Sequence, residues 1–386
     1  MRTNPLEGKR VVIDGRYLAA HRSGLARYTK ELVKHIIALK LGIDLKLIVR
    51  NDEPFDADLK KTIDGAKGEK IEVIGTNAAH YSPKEQTELY KLINLLKPDL
   101  VHFTSFNHPV RYSKPFVITI HDLTLHEYPN RASRLKQWVY RFIMRHAAAH
   151  SRLILTVSQH VKRDIIKNYA VAPSKVVVTY NGIDLEHFRP ISNSKRLKDV
   201  TKKYNITKPF ILYVGQWMEH KNLFRLVEAY LKVNADPKYT GRFQLVLAGQ
   251  ARNYAEYRDK ISRVKAAHDI ILPGFIADDD LPALYNAAQL FAFPSLAEGF
   301  GIPPLEAMAC GTPVVASRSS SLPEVLGTAA LYFDPLDTDS IARTITRGLS
   351  DASLRERLSK IGRQQAAQYS WHATARKTVD SYGKAL

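Results

Sequence analysis

Only one cysteine, Cys310, occurs in 386 residues. No disulfide can form within the chain, and the sequence suits a reducing compartment. Cys310 closes an apolar segment with no histidine near it in sequence, a setting that reads as packing and not as a nucleophile. No run of about 18 apolar residues occurs, which excludes a transmembrane helix. The first ten residues, Met-Arg-Thr-Asn-Pro-Leu-Glu-Gly-Lys-Arg, lack the apolar stretch of a secretory signal, so a cytoplasmic protein is expected. Short internal repeats and low-complexity tracts are missing too. Acids are the scarcer charge: 38 Asp and Glu stand against 57 Lys and Arg, for a net charge of +19. The excess leans to the first half, where residues 1–190 hold 31 basic against 19 acidic residues. Nucleic acid, an anionic membrane surface and phosphorylated substrates are the partners such a charge admits. No helix-turn-helix, zinc or RNA-binding motif accompanies it, which disfavours nucleic acid. The first strand runs into Asp14-Gly-Arg-Tyr17 and not into a Gly-x-Gly-x-x-Gly turn, which disfavours a dinucleotide enzyme.

What is present is alternation. Short β-branched runs (Arg10–Asp14, Leu45–Val49, Ile71–Ile74, Leu100–Phe103, Phe116–Ile120, Leu153–Val157, Val176–Tyr180) are separated by helix-period stretches such as Leu25–Leu39 and Lys84–Leu96. A second series follows: Phe210–Val214, Gln244–Ala248, Ile270–Leu272, Leu290–Pro294, Pro313–Ala316 and Leu331–Phe333. Apolar strands between helices indicate parallel sheets covered on both faces, and two series imply two doubly wound α/β domains. The polar stretch 185–208 carries no strand-like run and is the expected link. The domains are therefore 1–190 and 191–370, with residues 371–386 a separate amphipathic helix expected to pack back on the first. Ligands of such sheets bind at the carboxyl ends of the strands, and a cleft between two domains is the default site.

Chemistry is concentrated in Glu298-Gly-Phe-Gly-Ile-Pro-Pro-Leu-Glu306. Pro303-Pro304 fits a first helical turn, where a missing N–H costs nothing, and Gly311 with Pro313 ends the helix. Gly299 and Gly301 let backbone N–H groups approach a ligand, and the helix start favours an anion such as a diphosphate. Glu298 in the loop and Glu306 a turn inside the helix would then touch different parts of one ligand. The bland alternative is a helix-start Glu and a surface Glu.

This stretch resembles the glutamate signature of glycosyltransferase family 4, retaining nucleotide-sugar-dependent enzymes with the GT-B fold. Other segments are similar to the same family. They are Tyr213-Val-Gly-Gln-Trp-Met-Glu-His-Lys-Asn222, Leu272-Pro-Gly-Phe-Ile-Ala-Asp-Asp-Asp-Leu281, Ser321-Leu-Pro-Glu-Val-Leu326 and Tyr180-Asn-Gly-Ile-Asp184. Ile13-Asp-Gly-Arg-Tyr17, Ser23-Gly-Leu-Ala-Arg-Tyr28 and Ile120-His-Asp-Leu123 look like the mannosyltransferase branch. The resemblance implies two Rossmann-like domains facing across a deep cleft, acceptor on the first and nucleotide-sugar on the second. It implies transfer of a hexose, mannose from GDP-mannose above UDP-glucose, UDP-galactose or UDP-N-acetylglucosamine, to a glycan or lipid-linked acceptor. Glu298 is expected to bond donor-sugar hydroxyls, with the backbone of Gly299, Phe300, Gly301 and Ile302 near it and the diphosphate. Glu306 is expected to accept from the ribose, and Lys221 to pair with the diphosphate where negative charge grows on the leaving group. Gly24 is expected to let the cleft close over the phosphates. Gly274, Phe275 and Ile276 are expected to approach the base. His121 matches a histidine near the donor sugar, although a strand-end histidine is as often structural. Many relatives carry Arg after Gly215; Gln216 here can donate a hydrogen bond but brings no charge.

No cofactor or metal is expected: Asp278-Asp-Asp280 opens a helix and reads as solvated N-terminal charge. Between Glu127 and Asp164 there is no carboxylate. If 131–150 is helical, Leu135, Val139, Phe142 and Ala149 form one stripe and Arg134, Trp138, Arg141 and Arg145 a neighbouring one. With Arg131 this is either an ordinary solvated basic face or a contact for an anionic inner leaflet or lipid-linked acceptor.

Overall fold

The computed structural model describes residues 5–19, 24–124, 134–250 and 254–386. Two compact units result: residues up to Gly182 together with Ser370–Leu386, and Ile183–Tyr369. The chain thus leaves the first unit at Gly182 and not at 190. Ile183 N donates to Tyr369 O, Phe188 is buried edge-on to Tyr285, and Asn286 bonds both Arg189 O and Ile191 N. These bonds tie the passage to the second unit.

The first unit holds seven strands: β1 (Arg10–Asp14), β2 (Asp44–Arg50), β3 (Lys70–Thr76), β4 (Leu100–Phe103), β5 (Phe116–Ile120), β6 (Leu153–Thr156) and β7 (Val176–Val178). All pair in parallel, in the order β3-β2-β1-β4-β5-β6-β7. Alternate residues feed opposite faces, as the two-residue period of a strand requires. Val11 and Ile13 join a core with Leu32, Trp371 and Tyr382, whereas Val12 joins Phe103, Ile118 and Met144. Helix Trp371–Ala385 belongs to this unit, laying Trp371, Ala375, Val379 and Tyr382 on the first face.

Helix Arg134–His150 buries Ile143, Met144, Ala147 and Ala148. The apolar stripe faces outward instead: Leu135 is 70 %, Val139 37 % and Phe142 47 % accessible. The docked face sets Ile143 and Met144 beside two alanines.

The second unit holds β8 (Phe210–Val214), β9 (Gln244–Ala248), β10 (Ile270–Gly274), β11 (Leu290–Phe293), β12 (Val314–Ser317) and β13 (Ala330–Phe333), again all parallel, in the order β10-β9-β8-β11-β12-β13. The order reverses beside β8, making the loops after β8 and β11 the place where a doubly wound sheet receives a ligand. The polar link contains a helix that patterning does not predict, Ser194–Lys203, capped by Asn193 and burying only Val200.

Candidate functional site

In the second unit the loops after β8, β9 and β10 stack backbone on backbone. Gly215 N donates to Ala248 O, Trp217 N to Gln250 O and Gly249 N to Gly274 O. Gly249 has φ +137°, and a Cβ there would collide with the Gly215 carbonyl oxygen. Only glycine permits that approach, and Gly249 belongs with the site although the sequence motifs did not single it out. Gln216 is exposed at the tip, its carbonyl accepting from Tyr213. Phe275 is 40 % accessible and Ile276 buried.

After β8 the chain makes a 3-10 turn, Glu219–Lys221, and Asn222 in the left-handed region starts the next helix. The Asn222 amide donates to the carbonyls of Pro294 and Pro335, pinning this turn to the end of β11. Lys221 thereby reaches Glu298: Nζ lies 2.6 Å from Oε1, both side chains mostly buried. Sequence reasoning named both residues for a common ligand; the structure brings them together as an ion pair. Glu298 is held by its backbone, N donating to Ser320 Oγ and O accepting from Ser321 Oγ. Neither serine was assigned this work; Ser320 at φ +48° marks the strain of the turn that aims them.

Helix Ile302–Ala309 opens with Gly301 at φ +93°, where a Cβ would lie 2.7 Å from Leu322. Proline fills its first turn, and Phe300 packs edge-on to Tyr369. The backbone at 299–302 therefore lies at a helix N-terminus beside a lysine, an arrangement suited to an anion. Glu306 is buried, with the Tyr285 hydroxyl donating to Oε2 at 2.9 Å. Its carboxylate is thus fixed by a partner that sequence reasoning did not foresee.

His121 and Gly24 lie in the first unit. His121 Nε2 sits 2.9 Å from Thr104 O, so the tautomer with Nε2–H leaves Nδ1 as an acceptor. Burial pushes its pKa down, against the opposing pull of that bond and of Asp122. Gly24 begins a helix and is exposed, with nothing near a would-be Cβ.

Among the described residues no group of three or more His, Cys, Asp or Glu could hold a metal ion. Asp280 accepts from Lys203 and Tyr204 at 2.6 and 2.7 Å. A cavity of about 500 Å³ lined by Lys114, His150, Arg152 and Lys175 opens at the amino-terminal ends of β5 and β6, the wrong edge for a doubly wound site. Of the basic belt, Trp138 stacks on Phe142 at 5.7 Å, and Arg141 and Arg145 are exposed. Arg131 and the side chain of Arg134 lie outside the described residues. No helix among those residues is long and apolar enough to cross a membrane.

Residues 196–365 match the Glycosyl transferases group 1 family and residues 22–187 match Glycosyltransferase Family 4. The O-antigen chain mannosyltransferase B of Escherichia coli is 30% identical over 378 residues, 93% of this chain and 96% of its own. The serotype-specific mannosyltransferase WbdA of Escherichia coli is 34% identical over 239 residues, 60% of this chain but only 29% of the WbdA chain. Anabaena Alr3699/HepE, solved in complex with UDP-glucose, superposes with a TM-score of 0.76 at 17% identity, covering 98% of this chain and 100% of its own. At that identity it speaks for the fold alone.

Proposed function

The chain belongs to the group 1, family 4 glycosyltransferases, and from that membership we propose that it moves mannose from GDP-mannose to a glycan or lipid-linked acceptor, with retention and without a metal. The observation that supports mannose as the sugar is the relative named a mannosyltransferase, 30% identical along nearly the whole of both chains. Glu298 and Lys221 supply the chemistry. Lys221 has three donors, so it can keep Glu298 Oε1 and still meet an oxygen of the diphosphate. It then neutralises charge that grows as the sugar–phosphate bond breaks, helped by the helix start at Gly301. Glu298 Oε2 remains to accept from sugar hydroxyls, and Glu306, steadied by Tyr285, to accept from the ribose.

The test is a panel of GDP- and UDP-sugars read by thermal shift and by hydrolysis, with and without EDTA. GDP-mannose should give the largest shift, and EDTA should change nothing. A UDP-sugar giving the largest shift would replace the donor, and loss of turnover on chelation would overturn the metal-free route. Glu298→Ala should abolish transfer, and Glu306→Ala should chiefly weaken nucleotide binding.

For location, exposed Trp138, Phe142 and Leu135 beside Arg141 and Arg145, in a stretch without carboxylates, support peripheral contact with an anionic cytoplasmic leaflet. Each basic side chain at such a surface contributes about 1 kcal/mol. Binding to anionic vesicles at low salt and release at high salt is expected; equal sedimentation with neutral and anionic vesicles would rule it out.

A further inference from the structure

The basic cavity at the amino-terminal edge of the first sheet has no part in the donor roles, and the strand starts explain its charge. β5, β6 and β7 lie side by side and parallel, so the residues just before them gather at one edge, each about 4.8 Å of strand spacing from the next. Those residues are Lys114 with Pro115, then Arg152, then Lys175. His150, at the end of its helix, joins the lining. Further along the same edge the charges are matched: Lys9 pairs with Asp99 at 3.4 Å and Arg10 with Asp44 at 2.6 Å. At β5 to β7 the matching stops. Lys114, Arg152 and Lys175 pair with no carboxylate of the described residues. The Lys175 ammonium donates to Ala149 O at 2.7 Å, which leaves it further N–H groups to offer. Burial pushes its pKa down, and no carboxylate opposes that shift.

Like charges on one concave wall repel each other. Apart from the Lys175 bond to the helix end, no contact among the described residues offsets that repulsion. An anion does. A carboxylate answers one cation, whereas a phosphomonoester or diphosphate has the charge and the oxygens to answer three. The planar guanidinium of Arg152 can hold two phosphate oxygens, with Lys114 and Lys175 as point charges beside it. The volume of about 500 Å³ leaves room beyond the phosphate, and Pro115, Ala149 and Leu153 give an apolar wall to the body that carries it. We propose that this cavity binds the phosphate group of a larger molecule, at the edge opposite the one where a doubly wound sheet receives its ligand. Two sources share that chemistry, a lipid headgroup and a soluble phosphate ester. The site stands independently of the transferase reading.

The experiment compares the full chain with its Lys114→Gln/Arg152→Gln double variant in two arms. In the first, inorganic pyrophosphate is titrated at constant ionic strength, with acetate as the control anion, and backbone amides are followed by NMR. Amides at 113–116, 151–153 and 174–176 should shift with pyrophosphate and not with acetate, and the double variant should weaken that response about tenfold. Shifts at 215–222 and 299–302, where the proposed donor site would also take pyrophosphate, should be the same in both proteins. In the second arm, sedimentation is measured with vesicles of phosphatidylcholine carrying phosphatidic acid or phosphatidylglycerol at equal surface charge. A preference for phosphatidic acid that the double variant loses assigns the site to a lipid headgroup; a pyrophosphate response without that preference assigns it to a soluble phosphate ester. The double variant should keep its melting temperature, since both side chains are exposed and neither is paired. Absence of both effects, their survival in the double variant, or an equal response to acetate would overturn the proposal.

Discussion

Lys221 and Glu298 are 77 residues apart in sequence and 2.6 Å apart in space, so neither can be changed without stranding the other. Breaking a mostly buried pair by removing one partner costs about 3 kcal/mol, whereas removing both in favour of apolar groups costs much less. Lys221→Met and Glu298→Leu should therefore each lower the melting temperature, and the double variant should recover most of the loss while transfer stays absent in all three. A double-mutant cycle in urea, with activity assayed alongside, checks this. The family resemblance named both residues as expected contacts of one ligand; their pairing was not legible, because nothing local links two loops on different strands. Burial also sets the acid sensitivity of the first unit. His102 and His108 are pushed down to about 3 and about 4, chiefly by burial, and His121 is pushed down as well. These depressed histidines contribute stability that is complete above their unfolded pKa near 6.5 and is lost as pH falls toward the folded values. Each can contribute a slope of up to about 1.4 kcal/mol per pH unit over that window. Melting of the first unit at pH 7 and pH 5 should show a clear drop; an unchanged midpoint would refute it.

Elements follow from period and punctuation more than from any single contact. The strands were legible almost to the residue because parallel strands buried on both faces are continuous apolar runs, as in β4, β5 and β9. Helix Ser194–Lys203 was not, since with Val200 alone buried it has no apolar stripe to read; Asn193, its cap, was the available signal. Helix Arg134–His150 shows the opposite failure, an apolar stripe that faces outward while alanines face the sheet. Gly301 joins loop to helix at the proposed donor site. Gly301→Ala should cost about 1–3 kcal/mol through its positive φ and the clash with Leu322, and should tilt the loop that presents Glu298. Transfer should fall while Gly24→Ala, where a Cβ meets nothing, leaves the melting temperature unchanged; differential scanning calorimetry with a donor-turnover assay separates the two.

At the scale of the molecule, the first unit is discontinuous. Its core needs Trp371 and Tyr382, whose hydroxyl lies 2.7 Å from His102 Nδ1 between β4 and the helix. Deleting 370–386 should strip hydrogen-exchange protection from β1, β4 and helix Gly24–Ala38 yet spare β8 to β13; equal loss in both units would contradict the assignment of that helix. The two-series pattern made the division into two α/β units legible, but the crossing at Gly182 was not, because it is set by contacts of Phe188 and Asn286 that no local pattern reveals. The same discontinuity orders the events of synthesis. The strands of the first unit emerge from the ribosome first, but their closing helix follows about 200 residues later, a wait of roughly 10–40 s at bacterial-like rates of about 5–20 residues per second. In that interval the second unit, continuous in sequence, can finish first. A nascent chain stalled before Trp371 would expose the apolar face of β1 and β4, making the early half of this protein the natural client of a chaperone.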